Sequence, residues 1–296
     1  MSTNLMSLAR SGGKLLKLFG DRKMMKTMPT ARDYVQDGLI AMWDGIENAG
    51  CGVHTSDKSS LRELVTGASI SVFESAPSIA EVVVSSNAVD FTRANTTDKE
   101  NTAYLACRIP GLADTLKSGT VMTMELVAIP DTSFINTIVN AQMWGLDLSV
   151  GVSLDVFPSS KGVLRRWWQV GTMCAGFNKR LYYDLSLGND SNLETMKAWQ
   201  QKRHTALIAG ITSSTSDAKN FIDGLPVSAS WHDFWSGSTN APGDYIAFGQ
   251  TLSSRVIILP SRIYSWRLYS RALNTDEIAT NYAIDKARFN LTTPTI

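Results

Sequence analysis

Trp231, His232, Asp233 and Trp235, with Phe234 among them, form the densest aromatic cluster in the chain. They stand directly before a stretch of Gly, Ser, Asn and Pro that runs to Asp244. Flat aromatic rings take the apolar face of a sugar, while carboxylates, amides and backbone groups take its hydroxyls. The cluster therefore suits glycan binding. Trp168, beside Trp167, is the second candidate. Consecutive residues on a strand point to opposite sides, so one of these two tryptophans belongs in a core and the other on a surface or at an interface. The competing assignment for both groups is structural, as core or subunit-contact aromatics, because Trp and Tyr are also enriched at interfaces.

The chemistry of bond cleavage is not legible in the chain. A glycosidase needs an acid and a second carboxylate facing one cleft, about 5–5.5 Å apart in retaining enzymes. On a strand that spacing reads Glu-x-Asp-x-Glu, since same-face side chains alternate. Here Glu125 stands alone between Met124 and Leu126, Asp147 and Asp155 are far apart, and Glu63, Glu74 and Glu81 are isolated. No Gly-x-Ser-x-Gly elbow and no phosphate-binding glycine motif occurs. His54, His204 and His232 are too scattered for a metal site, and His204 at the head of a strand fits a structural histidine. Asp184, Asn189 and Asp190 could hold a structural Ca²⁺ at a sandwich edge, without a ligand spacing to support it. No cofactor is expected. Cys51, Cys107 and Cys174 form neither a disulfide framework nor a zinc pattern and fit free thiols in a reducing compartment.

Those side chains must be positioned by strands. The chain has 296 residues, 44% of them hydrophobic, and a net charge of +1. This allows one large all-β unit plus an extension, and gives no global field for nucleic acid or an acidic partner. Short β-rich runs occur at 37–43, 82–84, 88–91, 134–144, 146–157, 165–170, 180–186, 204–212, 219–222, 226–230, 245–248 and 256–259. A long run, 119–129, stops at Pro130. Asp223-Gly224 between apolar flanks is the strongest hairpin signal. Loops are expected at 188–192 and 235–244. From Ser261 to Tyr269 the pattern has period two, a half-buried strand with Ile263, Ser265, Arg267 and Tyr269 on one side and Tyr264, Trp266 and Leu268 on the other. The period then changes. Asn274 and Glu277 form a capping box, and Ile278, Tyr282 and Phe289 line one face of a short helix.

Residues 1–33 differ from the rest. Up to residue 32 they carry Arg10, Lys14, Lys17, Arg22, Lys23, Lys26 and Arg32 against Asp21 alone, interleaved with Leu8, Leu15, Leu18 and Phe19. Two short amphipathic helices broken at Gly12-Gly13, a disordered basic tail, or a membrane-surface helix all fit. Phe19 is the lone aromatic, so base stacking on nucleic acid is not expected. An assembly peptide that docks on an acidic protein surface through Leu8, Lys14, Leu15, Leu18, Phe19 and Lys23 is the preferred reading. The segment has no continuous apolar core of a secretory signal, and no stretch reaches the roughly 18 apolar residues of a membrane span.

The closing segment carries a resemblance. A strand ending at Tyr269, followed by Arg271-Ala272-Leu273, Asn274, Glu277-Ile278 and Tyr282, resembles the end of LamG-like domains, laminin-G-type members of the concanavalin A-like jelly-roll superfamily. Asp37–Asp44, Asn87–Phe91, Thr120–Leu126, His204–Gly210, Asn220–Val227 and Tyr245–Gly249 are similar, in order, to further strands of that family, so the resemblance spans about Tyr34 to Phe289. It implies an all-β, two-sheet antiparallel jelly-roll sandwich over 34–296 with a short C-terminal helix, preceded by a helical or extended arm over 1–33. The opening phrase Tyr34–Gly50 resembles LamG-like proteins of gut Bacteroidales and their phages and prophages. This implies a non-enzymatic virion component (head fibre, decoration or tail) made in the host cytoplasm. Its arm would bind other virion proteins, and the domain would be a homo-oligomer displayed toward a host-surface glycan. The alternative is a carbohydrate-binding module of a bacterial cell-surface or secreted protein.

Overall fold

The computed structural model describes residues 28–48, 52–93, 103–118, 120–130, 141–146, 152–158, 164–172, 177–184, 202–209, 219–227, 230–233, 244–248, 257–258 and 261–292. Two large sheets dominate them. The first runs β15 (Leu225–Val227), β14 (Lys219–Ile222), β13 (Arg203–Ala209), β8 (Met122–Pro130), β19 (Ser261–Tyr269), β6 (Val89–Arg93) and β5 (Ala80–Val84), with β1 (Leu39–Asp44) also paired to β19. The second runs β16 (Ser230–Asp233), β12 (Phe177–Asp184), β11 (Leu164–Thr172), β10 (Val152–Pro158), β9 (Ala141–Leu146), β17 (Tyr245–Phe248), β7 (Ala103–Arg108) and β4 (Ile70–Glu74). A short β18 (Ile257–Ile258) lies parallel to β9, whereas the pairings along both sheet paths are antiparallel. Further described elements are a small hairpin of β2 (Glu47–Asn48) and β3 (Gly52–Val53), two 3-10 turns (Ala31–Asp33 and Lys58–Ser60), a short helix α1 (Leu112–Lys117) and the closing helix α2 (Thr275–Phe289). The architecture is all-β and jelly-roll-like with one C-terminal helix.

The main core lies between the sheets, where alternation sends one row from each strand inward. Met122, Met124, Leu126 and Ala128 of β8 and Trp266 and Leu268 of β19 meet Leu105 and Cys107 of β7 and Ile246 and Phe248 of β17. The Trp266 and Phe248 rings stack across the gap at 4.8 Å.

β19 departs from the half-buried strand expected of it. All residues from Ile263 to Tyr269 are buried, because α2 and the segment at 30–36 cover the face turned away from the core. The parity is also broken. Ile263 pairs with Ala128 and Ser265 with Val127, which leaves Tyr264 as the extra residue of a β-bulge. Ile263 therefore joins Trp266 and Leu268 in the main core. Tyr264 packs with Phe289 and Leu291 on the helix side.

The strand pattern at 37–43, the hairpin and the capped helix appear as expected. Asp223 and Gly224 both have positive φ, 50° and 76°, as a two-residue type I′ turn requires. Asn274 Oδ1 accepts from the Glu277 N–H at 3.0 Å while Glu277 Oε2 accepts from the Asn274 N–H at 2.8 Å. Asn274→Ala removes this cap and is expected to destabilise the domain by about 1 kcal/mol in chemical denaturation. β2, β3, β4 and β7 are additional to the strands expected. The alanines at 103 and 106 weaken the β signal of β7. The stretch 230–233, taken in the sequence as the end of one strand and the start of an aromatic cluster, forms β16.

Candidate functional site

The sugar-binding candidates fall on one sheet. Trp231, His232 and Asp233 lie on β16, at the edge of the second sheet, and Trp168 lies on β11. Backbone register places Leu154, Trp168, Leu181 and Trp231 in one cross-strand row. The neighbouring row runs through Gln169, Arg180 and His232 and continues unbroken through Ser153, Gly145, Ala247 and Ala106 to Ser71 at the opposite edge. The sheet thus sets the Trp168 and Trp231 positions in one row and His232 in the next. Because the His232 row ends at the exposed Ser71, the backbone register puts the tryptophan positions on the opposite face of the sheet from His232. Trp235, Asn189 and Asp190 lie outside the described residues, as do Leu8, Lys14, Leu15, Leu18, Phe19 and Lys23 of the arm and the loops at 188–192 and 235–243. Asp184, the third member of the proposed Ca²⁺ set, ends β12 opposite Arg165.

The strongest electrostatic feature is one the sequence did not announce. Alternation puts Glu125 of β8, His204 of β13 and Ser265 and Arg267 of β19 on the outer face of the first sheet, where α2 closes over them. Glu125 Oε2 accepts from Arg267 Nε at 2.6 Å and from Asn281 Nδ2 at 2.8 Å, and Oε1 lies 3.2 Å from His204 Nε2. Asp285 accepts from both terminal nitrogens of Arg267, at 3.0 and 2.6 Å, and from the Tyr34 hydroxyl at 2.7 Å. The Arg267 guanidinium lies 4.1 Å from the centre of the Tyr34 ring. Asn281 also accepts the Val35 N–H at 3.0 Å. A second ion-pair set continues along the helix. Arg288 donates to Asp44 at 2.8 Å, to Glu47 at 2.7 Å and to the Pro29 carbonyl at 2.7 Å. The chain entering at 29–35 is thereby tied to α2, and Ala31 and Tyr34 are buried.

This arrangement holds and does not cut. Glu125, Asp285 and His204 have no solvent exposure, so no substrate reaches them. Burial raises the cost of ionising Glu125, but the Arg267 guanidinium and the His204 contact outweigh it and hold the carboxyl below its usual range. A general acid at neutral pH needs the opposite shift. The stability gained by this lowered value is complete above the ordinary carboxylate range and is lost as pH falls through the folded value. His204 is a structural histidine, as its place on the strand suggested. Cys107 is a buried free thiol, pushed by burial up to about 12 and so unreactive. Cys51 and Cys174 lie outside the described residues. Among the described residues no group of three His, Cys, Asp or Glu side chains could hold a metal, and no helix is long and apolar enough to cross a membrane.

Two surface features remain. A cleft of about 830 Å³ opens between Arg32, Gln36, Glu47, Asn48, Val53 and Val65. Its carboxylate, Glu47, is held by Arg288 and by the Ala31 N–H at 2.8 Å, which leaves it no catalytic freedom. At the far edge of the second sheet, Phe73 of β4 and Tyr104 of β7 are cross-strand partners whose rings stack at 4.9 Å and 27°. Phe73 is 47% exposed. Neither ring was singled out from sequence, because each stands alone in its strand and the pair forms only when β4 meets β7.

No protein-family model matches the chain, and no curated protein matches it. Solved structures do. The botulinum neurotoxin serotype D binding domain superposes with a TM-score of 0.54 at 10% identity, over 83% of this chain and 52% of that one. The likeness is one of fold. The receptor-binding domain of the C/D mosaic serotype gives 0.54 at 11% identity, over 84% and 52%. A structure of botulinum neurotoxin type C, a toxin whose cell entry depends on interaction with two ganglioside molecules, gives 0.50 at 8% identity, over 78% and 50%. The chain therefore spans about half the length of the structures it matches.

Proposed function

We propose that this chain is a non-enzymatic glycan-binding domain, a LamG-type jelly roll of the concanavalin A-like kind, displayed on a phage particle through its N-terminal arm. The observation that carries the binding role is the shared fold with toxin domains that bind receptors and, for the type C toxin, depend on gangliosides for cell entry. The sealed and neutralised carboxylates Glu125 and Asp285 support a role without catalysis. The glycan candidates remain Trp231, His232, Asp233, Trp235 and Trp168. The virion role rests on the opening phrase at 34–50 and on the basic, leucine-rich composition of residues 1–33. In this reading the arm docks on a partner virion protein, the domain is a homo-oligomer, and the protein is located in the virion.

The test has two arms. Full-length protein is applied to an array of neutral and acidic oligosaccharides and to vesicles with and without ganglioside. Saturable binding to at least one glycan is expected, and a blank array together with blank vesicles overturns the glycan role. Purified particles from the producing host are analysed by mass spectrometry for this chain. Absence from particles, with the protein present on the bacterial surface, replaces the virion reading with that of a bacterial carbohydrate-binding module.

A further inference from the structure

We infer that the Phe73–Tyr104 pair is a sugar-stacking platform, the aromatic end of an oligosaccharide subsite on the outer face of the second sheet, separate from the tryptophan row. It rests on the reading that this domain binds glycan, and it names where and with what chemistry. Four observations converge.

The first is exposure. Strand alternation turns Ile70 of β4 and Ala103, Leu105 and Cys107 of β7 into the core, and turns Ser71, Phe73, Tyr104, Ala106 and Arg108 outward. Phe73 is nearly half exposed, although a ring of that size normally finds cover.

The second is rigidity. Both rings stand on paired strands, and each braces the other at 4.9 Å. A flat surface held in this way loses little side-chain entropy when a ligand arrives.

The third is the floor. Ser71 and Ala106 are cross-strand partners in the row beside the two rings, and small side chains there leave room for a pyranose to lie against the sheet.

The fourth is the polar end. Arg108 lies four residues from Tyr104 on the same face, about 13 Å along the strand. Its side chain is 66% exposed, and its Nη2 pairs with Asp244 Oδ2 at 3.8 Å. A guanidinium that donates and a carboxylate that accepts, side by side, suit vicinal hydroxyls. The span from Phe73 to Arg108 suits an oligosaccharide of more than one ring, with its apolar face on Phe73 and its hydroxyls on Arg108 and Asp244. The ligand class is thus a neutral hexopyranose oligosaccharide.

This platform and Trp231 occupy opposite edges of the sheet. Seven strand spacings separate β4 from β16, about 34 Å along the sheet. One short oligosaccharide does not bridge them, so the two sites are separable by mutation.

The experiment uses the full chain and the neutral glycan that binds tightest on the array, titrated calorimetrically against wild type, Phe73→Ala, Arg108→Gln and Trp231→Ala. Circular dichroism and sedimentation are recorded for each. Phe73→Ala is expected to weaken binding about tenfold or more, the loss of one aromatic stacking contact. Arg108→Gln is expected to weaken it by a smaller factor, with fold and oligomeric state unchanged. Affinity within about twofold of wild type in Phe73→Ala, with loss in Trp231→Ala, overturns this inference and leaves the glycan role standing. A change of oligomeric state in Phe73→Ala without a change in affinity makes the pair a subunit contact and also overturns it. A wild type that binds no glycan overturns both readings.

Discussion

Arg267→Met is expected to lower the unfolding free energy by about 3–5 kcal/mol, a large fraction of the stability of an ordinary domain. Arg267 reaches two buried carboxylates at once, Glu125 at 2.6 Å and Asp285 at 2.6 Å. Its removal leaves two charges without solvent and with too few donors, and that penalty, more than the lost attraction, sets the size of the effect. Chemical denaturation followed by tryptophan fluorescence measures it. The variant should also recover stability as pH falls toward values at which the orphaned Glu125 carboxyl takes up a proton, whereas the wild type loses stability in acid as Glu125 is protonated. A loss under about 1 kcal/mol would mean that α2 does not seal this face in solution. The triple variant Glu125→Leu, Arg267→Met, Asp285→Leu separates charge from packing. It should be closer to wild type than Arg267→Met alone, because it removes both carboxylates that the single variant leaves without their guanidinium. The remaining cost is that of the Tyr34, Asn281 and His204 groups that lose their partners.

Trp266→Ala should cost a similar amount, about 3–5 kcal/mol, for a different reason. Trp266 neighbours Arg267 in sequence but faces the other way, into the gap between the sheets, where it stacks on Phe248. Truncation leaves a cavity lined by residues of both sheets that cannot collapse without moving paired strands. Unlike Arg267→Met, this variant should show no recovery in mild acid, since no charge is left orphaned. By contrast Phe73→Ala, at an exposed position, should stay within about 0.5 kcal/mol of wild type. Equal behaviour of Trp266→Ala and Phe73→Ala in denaturation would contradict the assignment of core and surface.

β19 explains why these effects concentrate in one strand. It pairs along its length with β8, and on its other side first with β6 and then with β1. Core side chains leave one face and charged side chains the other, and α2 follows through the turn at 270–274. A strand in that position joins both ends of the described chain to the middle of the first sheet.

Much of this frame was legible from local pattern. The Asp223-Gly224 turn, the Asn274 and Glu277 cap and the period-two runs of β1, β8 and β19 are each encoded within a few residues, because turn geometry, capping and strand alternation are local physics. The face assignments were legible only in part. Thr123 and Glu125 on β8, and Ser265 and Arg267 on β19, alternate with apolar residues just as a solvent-facing row would. That a helix 15 residues long lies over them is a fact about packing between distant segments. The bulge at Tyr264 was likewise invisible, since an extra residue shows only against a partner strand.

The sequence by itself determined the class of fold, the hairpin, the capped closing helix and the absence of an alternating carboxylate motif, because each depends on neighbours in the chain. Tertiary structure alone decided that Glu125, isolated in sequence, meets Arg267, Asn281 and His204 in a sealed cluster, and that Phe73 and Tyr104, each unremarked in its own strand, stack at an exposed sheet edge. Both assemblies bring together residues 31 to 156 positions apart along the chain, and the forces that act on them, desolvation and ring stacking, fall off within a few ångströms in space whatever the distance in sequence.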